Sequence, residues 1–184
     1  IMAGYNVMAE EIALQLEKME MPTHIFLQGG VGAFPGAICA YFWEQFPNSN
    51  IKFIVVESEH APCLIQSAQN NQMTSVNIKK ETMMAGLSCG EPSLLGWEIL
   101  SIGADDFVSI SDQLIPSTMK MLANNNPPIE AGESSVAGLV ALIEIMKTQD
   151  IAKKLELDSD SIVLLFGTEG ATDPEIYDSI IKAS

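Results

Sequence analysis

The chain has 184 residues, of which 47% are hydrophobic, so it is long enough to bury the core of one domain. It carries 24 acidic residues against nine lysines and no arginine, and its net charge of -15 would repel the phosphate backbone of a nucleic acid. No apolar stretch approaches the roughly 20 residues that a membrane span needs, and no secretory signal pattern is present. We therefore exclude nucleic-acid-binding and membrane-spanning proteins and expect a cytoplasmic one.

The first part of the chain alternates helical and strand patterns. Apolar residues spaced by three and four predict a helix over Ala9 to Glu20, which Pro22 ends. Short apolar runs rich in Ile, Val and Phe predict strands over residues 23–28 and 51–57, with a helix over Gly36 to Phe46 between them. This order predicts a right-handed βαβ unit in which the two strands are parallel.

The rest of the chain is less regular but continues the same alternation. A short strand is predicted around Ser75 to Asn77, a buried strand over residues 161–167, and a last helix that begins near Pro174. Further helices are predicted over Ala61 to Asn70, Leu94 to Gly103, Ser111 to Asn124 and Ser134 to Thr148. The whole pattern predicts one α/β domain, residues 1–184, in which a parallel sheet lies between helices on both faces.

Glycines cluster directly after the first predicted strand, in the sequence LQGGVGAFPG from Leu27 to Gly36. Glycine permits positive φ, so the N–H groups of such a turn can converge on an anion at the N-terminus of the next helix. Because the chain lacks arginine, a bound phosphate depends on such N–H groups, on hydroxyls or on lysines. We therefore predict a phosphate-binding turn, the alternative being a tight turn that binds nothing.

Acidic and hydroxyl side chains follow the other strands. Glu57 ends the second strand where a dinucleotide site has its ribose-binding carboxylate, and the GxGxxxG spacing before it resembles a dinucleotide fingerprint, so nicotinamide-dinucleotide binding remains an alternative. Glu133 lies among small residues at a helix entrance and is either a ligand contact or a capping carboxylate. Thr168 directly follows the last strand and is either a hydrogen-bonding group of the cleft or a turn-forming hydroxyl.

The three cysteines, Cys39, Cys63 and Cys89, show neither CxxC spacing nor an even count, so the sequence predicts reduced thiols and no metal site. Cys63 and Cys89 flank the loop that leads to the segment GEPSLLGW. We hypothesise that these two thiols pair under oxidation and stiffen the entrance of the cleft.

Six segments, read in order and at their spacing, resemble the C-terminal half of the diaminopropionate ammonia-lyases, a family of pyridoxal-phosphate-dependent enzymes of fold type II. They are IMAGYNVMAEE, THIFLQGGVGA, VVESEHAPC, TMMAGLSCGEPSLLGWEIL, AGESSVAGL and VLLFGTEGATDPEIY. The resemblance covers nearly the whole chain. MAGLSCGEP with the following GWE, and the final FGTEGATDPE, are its most specific parts, since the glycine turn is shared by many tryptophan-synthase-like enzymes.

The resemblance implies a sheet like that of the large domain of fold type II enzymes, with pyridoxal 5'-phosphate in a cleft between two domains, in a homodimer. The implied reaction converts 2,3-diaminopropionate to pyruvate and ammonia. By position, the residues implied to cradle the cofactor phosphate are Gly29, Gly30, Val31, Gly32 and Ala33. The resemblance also implies that Glu133 lies near the pyridine ring and that Thr168 faces the ring nitrogen.

The catalytic lysine of the family has no counterpart here. It lies in an N-terminal half that would precede Ile1, and none of the nine lysines stands in a matching motif. We therefore expect a fragment that is inactive alone and that contains no catalytic residue of its own. Three alternatives remain: a dinucleotide-binding module, another fold type II enzyme such as a serine or threonine ammonia-lyase, and a non-catalytic interaction domain.

Overall fold

The computed structural model describes residues 2–183. The strands are β1 (His24–Gln28), β2 (Lys52–Ser58), β3 (Asp106–Ile110) and β4 (Val163–Leu164). The helices are α1 (Met2–Leu16), α2 (Ala33–Gln45), α3 (Cys63–Asn70), α4 (Leu94–Gly103), α5 (Ile115–Ala123), α6 (Ala137–Met146), α7 (Gln149–Lys154) and α8 (Pro174–Lys182). Two short 3-10 turns, Ala85–Leu87 and Asp112–Leu114, precede α4 and α5.

The four strands form one parallel sheet in the order β3-β2-β1-β4. In β1 and β2 the pairing runs from His24 opposite Lys52 to Gln28 opposite Val56, so the predicted βαβ unit is confirmed as β1-α2-β2. Every residue of β1 is buried, because this strand has a neighbour on each side and helices on both faces. The carboxyl ends of β1 and β2 therefore lie side by side.

The core is divided by the sheet into two hydrophobic clusters. Ile25 and Leu27 of β1 pack on one face with apolar side chains of α1, α2 and α4. Phe26 packs on the other face with side chains of α5 and α6. This alternation follows from the two-residue period of a strand, and it confirms the predicted α/β fold with helices on both faces.

The strands differ from prediction in two ways: one predicted strand does not form, and one observed strand was not predicted. No strand forms at Ser75 to Asn77: this stretch is half-exposed and its backbone is held by one hydrogen bond, from Val76 N–H to the Gly90 carbonyl (2.7 Å). The strand β3 is not predicted at all. Its side chains Asp106 and Ser109 are polar, and β3 has only one strand neighbour, so it lacks the buried apolar pattern of β1 and β2.

Other elements differ from prediction mainly at their ends. β4 has two paired residues instead of the seven predicted over 161–167, because Val163 and Leu164 alone pair with β1. α2 begins at Ala33, three residues earlier than predicted. Pro35 is compatible with this early start, since it lies in the first helical turn, where the backbone N–H has no helical acceptor.

Candidate active site

The glycine turn joins the carboxyl end of β1 to the first residue of α2. Gly30 and Gly32 have φ of +57° and +89°, a region that strains residues with a Cβ. The turn is closed by a hydrogen bond from Gly32 N–H to the Gly29 carbonyl (3.0 Å) and tied to β2 by Gly29 N–H donating to Val56 O (2.8 Å). The sequence pattern of four glycines thus corresponds to a turn that requires at least two of them.

Close packing beneath the turn also explains Gly29. A Cβ at this position would lie 2.7 Å from Glu57 Cγ and 3.2 Å from the Val56 carbonyl oxygen. At Gly32 a Cβ would meet methyl groups of Leu64 and Leu100, each at 3.2 Å. The backbone of the turn therefore rests directly on the sheet and on the neighbouring helices.

Three N–H groups of the turn and the first turn of α2 lack an acceptor within residues 2–183. They belong to Gly30, Ala33 and Phe34, and all three residues line a cavity of about 480 Å³. N–H groups at a helix N-terminus carry partial positive charge and favour an anion. The turn therefore offers a binding site for a phosphate that uses no cationic side chain.

Four chain segments besides the turn form the walls of the cavity, one of them α1 through Tyr5. Gly86 and Leu87 come from the 3-10 turn before α4, Cys89 follows that turn, and Ser134 comes from the loop before α6. The segment after β4 contributes Thr168, Glu169, Gly170 and Thr172, and the remaining lining residues are Tyr5, Gln28, Gly29, Gly30, Val31, Ala33 and Phe34. Two of these segments, the glycine turn and the segment after β4, follow the carboxyl ends of strands, where open α/β sheets bind their ligands.

The residues predicted from the sequence divide into two groups. Those that line the cavity are Gly29, Gly30, Val31, Ala33 and Thr168. Gly32 and Glu133 do not line it. Gly32 faces the apolar side chains of Leu64 and Leu100, and Glu133 is half-exposed one residue before Ser134. Their predicted roles toward a cofactor therefore stay predictions.

Two wall residues that the sequence analysis missed join separate segments. Glu169 Oε2 accepts a hydrogen bond from Ser134 N–H (2.8 Å), and Ser134 Oγ accepts one from Gly86 N–H (3.1 Å). These bonds fasten the loop before α6 to the segment after β4 and to the 3-10 turn. The hydroxyls of the segment AGESSVAGL were the only sequence signal for this connection, because contacts over 35 and 48 residues leave no local pattern.

Glu57 does not point into the cavity as a ribose-binding group. Its side chain is 1% exposed, and its two oxygens accept hydrogen bonds from Leu64 N–H (2.9 Å) and Ile65 N–H (2.8 Å) at the start of α3. Burial raises the pKa of Glu57 to about 7 against these hydrogen bonds, which lower it. The Glu57 carboxylate therefore caps α3. It does not serve as the ribose-binding group that the dinucleotide interpretation requires.

The two cysteines near the turn are both thiols in this structure. Cys63 is buried beneath the turn, with Sγ 3.5 Å from the Gly30 carbonyl and 3.6 Å from Glu57 Oε1, so its single S–H can donate to one of them at a time. Cys89 lines the cavity, and burial raises its pKa. The hypothesis that Cys63 and Cys89 pair concerns the oxidised protein and stays a prediction.

The sequence pattern of the pyridoxal-phosphate-dependent enzymes matches residues 1–167. The chain belongs to that family. Among curated proteins, diaminopropionate ammonia-lyase of Salmonella typhimurium is 40% identical over 98% of the chain, and that of Escherichia coli K12 is 38% identical over the same share. The chain spans about half the length of these relatives, 48% and 47% respectively.

A solved structure has the same fold. It is diaminopropionate ammonia-lyase from Escherichia coli in complex with an aminoacrylate-PLP azomethine reaction intermediate. Its TM-score to this chain is 0.88 at 36% identity, over 98% of this chain and 48% of that one. The close similarity over nearly the whole chain confirms the resemblance that the sequence segments indicated, including the fold type II architecture.

The cavity suits the cofactor that gives the family its name. Free N–H groups at the α2 N-terminus suit its phosphate. The rings of Tyr5 and Phe34, with centroids 5.3 Å apart, supply an apolar wall for a flat ring, and Thr168 supplies a hydroxyl. The volume of about 480 Å³ lies in the ordinary range of small-molecule sites.

Other chemistry finds less support in the described chain. No lysine among residues 2–183 lines the cavity, and within the same range no group of three or more His, Cys, Asp or Glu side chains could hold a metal ion. No helix in the described part is long and apolar enough to cross a membrane.

Proposed function

We propose that this chain forms the phosphate-holding part of a diaminopropionate ammonia-lyase. The observation that carries the proposal is that Gly30, Ala33 and Phe34, whose N–H groups have no acceptor among residues 2–183, line a cavity at the N-terminus of α2. Identities of 38–40% to diaminopropionate ammonia-lyases over 98% of the chain support this activity over that of other family members.

Each predicted site residue has a role in this proposal. The turn Gly29–Ala33 holds the phosphate of pyridoxal 5'-phosphate by its backbone. The Thr168 hydroxyl lines the cavity and would be the partner of the ring nitrogen, and Glu133, one residue before the wall residue Ser134, would lie near the ring. When bound, the cofactor supplies an electron sink for the electrons left on the amino-acid α-carbon after proton removal. The chain's own contribution is to bind and orient that cofactor.

The reacting lysine is proposed to come from outside this chain. All nine lysines lie within residues 2–183, and none lines the cavity. The proposal therefore assigns no catalytic residue to the chain and expects no turnover by the 184 residues alone. A homodimer, which the resemblance implies, and a cytoplasmic location belong to the same proposal.

Substrate preference in the intact gene product that contains this chain tests the activity. We expect the protein loaded with pyridoxal 5'-phosphate to release pyruvate and ammonia from 2,3-diaminopropionate with a higher kcat/KM than from serine or threonine. Preference for serine or threonine would favour the other fold type II ammonia-lyases. Binding of NAD in place of pyridoxal 5'-phosphate would overturn the proposal in favour of a dinucleotide-binding module, and binding of neither would favour an interaction domain.

A further inference from the structure

Gln28, the last residue of β1, is buried directly before the glycine turn. Its side chain is 4% exposed. Its amide nitrogen Nε2 donates to the Phe166 carbonyl (2.7 Å) and to the Ser135 carbonyl (3.0 Å). One side chain thus connects the end of β1 to the segment after β4 and to the loop before α6.

The orientation of this amide is determined by its partners. Both N–H bonds of Nε2 are used, and a flipped amide would place its oxygen against the two carbonyl oxygens of Ser135 and Phe166. The remaining atom, Oε1, is buried and has no hydrogen-bond partner within the described residues.

An unpaired buried acceptor costs about as much free energy as a neutral hydrogen bond contributes. The two N–H bonds of the amide satisfy the buried Ser135 and Phe166 carbonyls, so the amide stabilises the fold even though Oε1 is unpaired. The benefit of an amide here lies in where it holds its two partners.

Those partners adjoin the other candidate cofactor contacts. The turn begins at Gly29, one residue after Gln28; Ser135 follows the wall residue Ser134; and Phe166 lies two residues before Thr168. The hydrogen bond from Ser134 N–H to Glu169 joins the second and third of these segments to each other. The three segments are therefore connected pairwise, with Gln28 responsible for two of the three connections.

We infer that Gln28 is a positioning residue that sets the distance from the phosphate-binding turn to the walls that contact the cofactor ring. The inference rests on the proposed function. The phosphate and the whole cofactor depend on different segments. A phosphate alone needs only the turn, whereas the whole cofactor needs the turn and both walls at the correct distance from each other. Loss of the amide donors should therefore weaken binding of the whole cofactor more than binding of phosphate.

The test uses Gln28→Met, which has similar length but no amide, in the cofactor-free intact gene product that contains this chain. The matched control is Gln45→Met at the exposed end of α2. Calorimetry measures binding of pyridoxamine 5'-phosphate, which cannot react with lysines, and of inorganic phosphate. We expect Gln28→Met to weaken pyridoxamine 5'-phosphate by about tenfold or more and inorganic phosphate by about twofold or less. Because Gln28→Met leaves the Ser135 and Phe166 carbonyls without this donor, its Tm should fall by roughly 4–10 °C, and Gln45→Met should change nothing.

Three results would overturn the inference. Unchanged affinity of Gln28→Met for pyridoxamine 5'-phosphate, with tight wild-type binding, would remove the positioning role and leave the proposed function intact. Equal losses for both ligands, whatever the change in Tm, would show a merely structural role. No binding of pyridoxamine 5'-phosphate to the wild type would overturn the proposed function, and this inference with it.

Discussion

Glu57 shows how one buried carboxylate supports the turn above it. It caps α3 through Leu64 and Ile65, and its Cγ lies where a Cβ on Gly29 would have to go. Sequence position alone left a sugar-binding role for this residue open as an alternative, because a strand-ending acid has the same spacing in both roles. Only the three-dimensional contacts distinguish a ligand contact from a helix cap.

Titration of Glu57 predicts a pH dependence of stability. Burial raises its pKa from the ordinary 4.5 to about 7 in the folded chain. The folded state therefore binds this proton more tightly than the unfolded state does, so the contribution is fully present below pH 4.5 and is lost as pH rises to about 7. The difference corresponds to roughly 3 kcal/mol of unfolding free energy.

The measurement is denaturant unfolding of the wild type and Glu57→Gln between pH 4.5 and 8. Repulsion among the many other carboxylates acts on both proteins, so the difference between their curves isolates Glu57. We expect the wild type to lose more stability than the variant between pH 4.5 and 7. Parallel curves for the two proteins would contradict the raised pKa.

At the scale of elements, α4 packs directly against the start of α2. A Cβ on Gly96 of α4 would lie 2.7 Å from the Gly32 carbonyl oxygen and 2.8 Å from its carbon. Because these are backbone atoms of the turn, no side chain can move to make room. The position of the turn thus depends on a helix that lies more than 60 residues later in the chain.

Gly96→Ala should therefore destabilise the chain and displace the turn. We expect a loss of about 1–3 kcal/mol in unfolding free energy from overpacking, together with weaker binding of inorganic phosphate. The control is Gly4→Ala in α1, where a Cβ meets nothing within 4 Å. Equal stability of Gly96→Ala and Gly4→Ala would show that α4 and the turn are not in close contact.

The elements that the sequence predicted best are those with buried neighbours on both sides. β1 and β2 are runs of mostly apolar residues, and the glycines after β1 predict the turn. β3 carries Asp106 and Ser109 and lacks such a pattern, so it was missed. Glu169 and Ser134 were missed for another reason: their role arises from one hydrogen bond between distant segments, which no local spacing records.

At the scale of the whole molecule, the proposed function has this chain bind the cofactor while another part of the protein supplies the catalytic lysine. Residues 2–183 provide a turn and walls that suit a cofactor, and none of their lysines lines the cavity. We predict that borohydride reduction of the 184-residue chain with pyridoxal 5'-phosphate leaves no adduct at a single specific lysine and that the mixture does not consume diaminopropionate. Peptide mapping by mass spectrometry checks the adduct, and specific labelling of one lysine with turnover would contradict the assignment.

The glycine turn is proposed to recognise the phosphate of a pyridoxal cofactor. A comparison of two ligands, with and without the phosphate, tests this recognition most directly. Calorimetry on the cofactor-free intact gene product measures the affinities of pyridoxamine 5'-phosphate and of pyridoxamine, which lacks the phosphate. Since three N–H groups of the turn have no acceptor among residues 2–183 and can bind the phosphate, we predict that pyridoxamine 5'-phosphate binds at least about a hundredfold more tightly than pyridoxamine. Equal affinity for the two ligands would contradict the account.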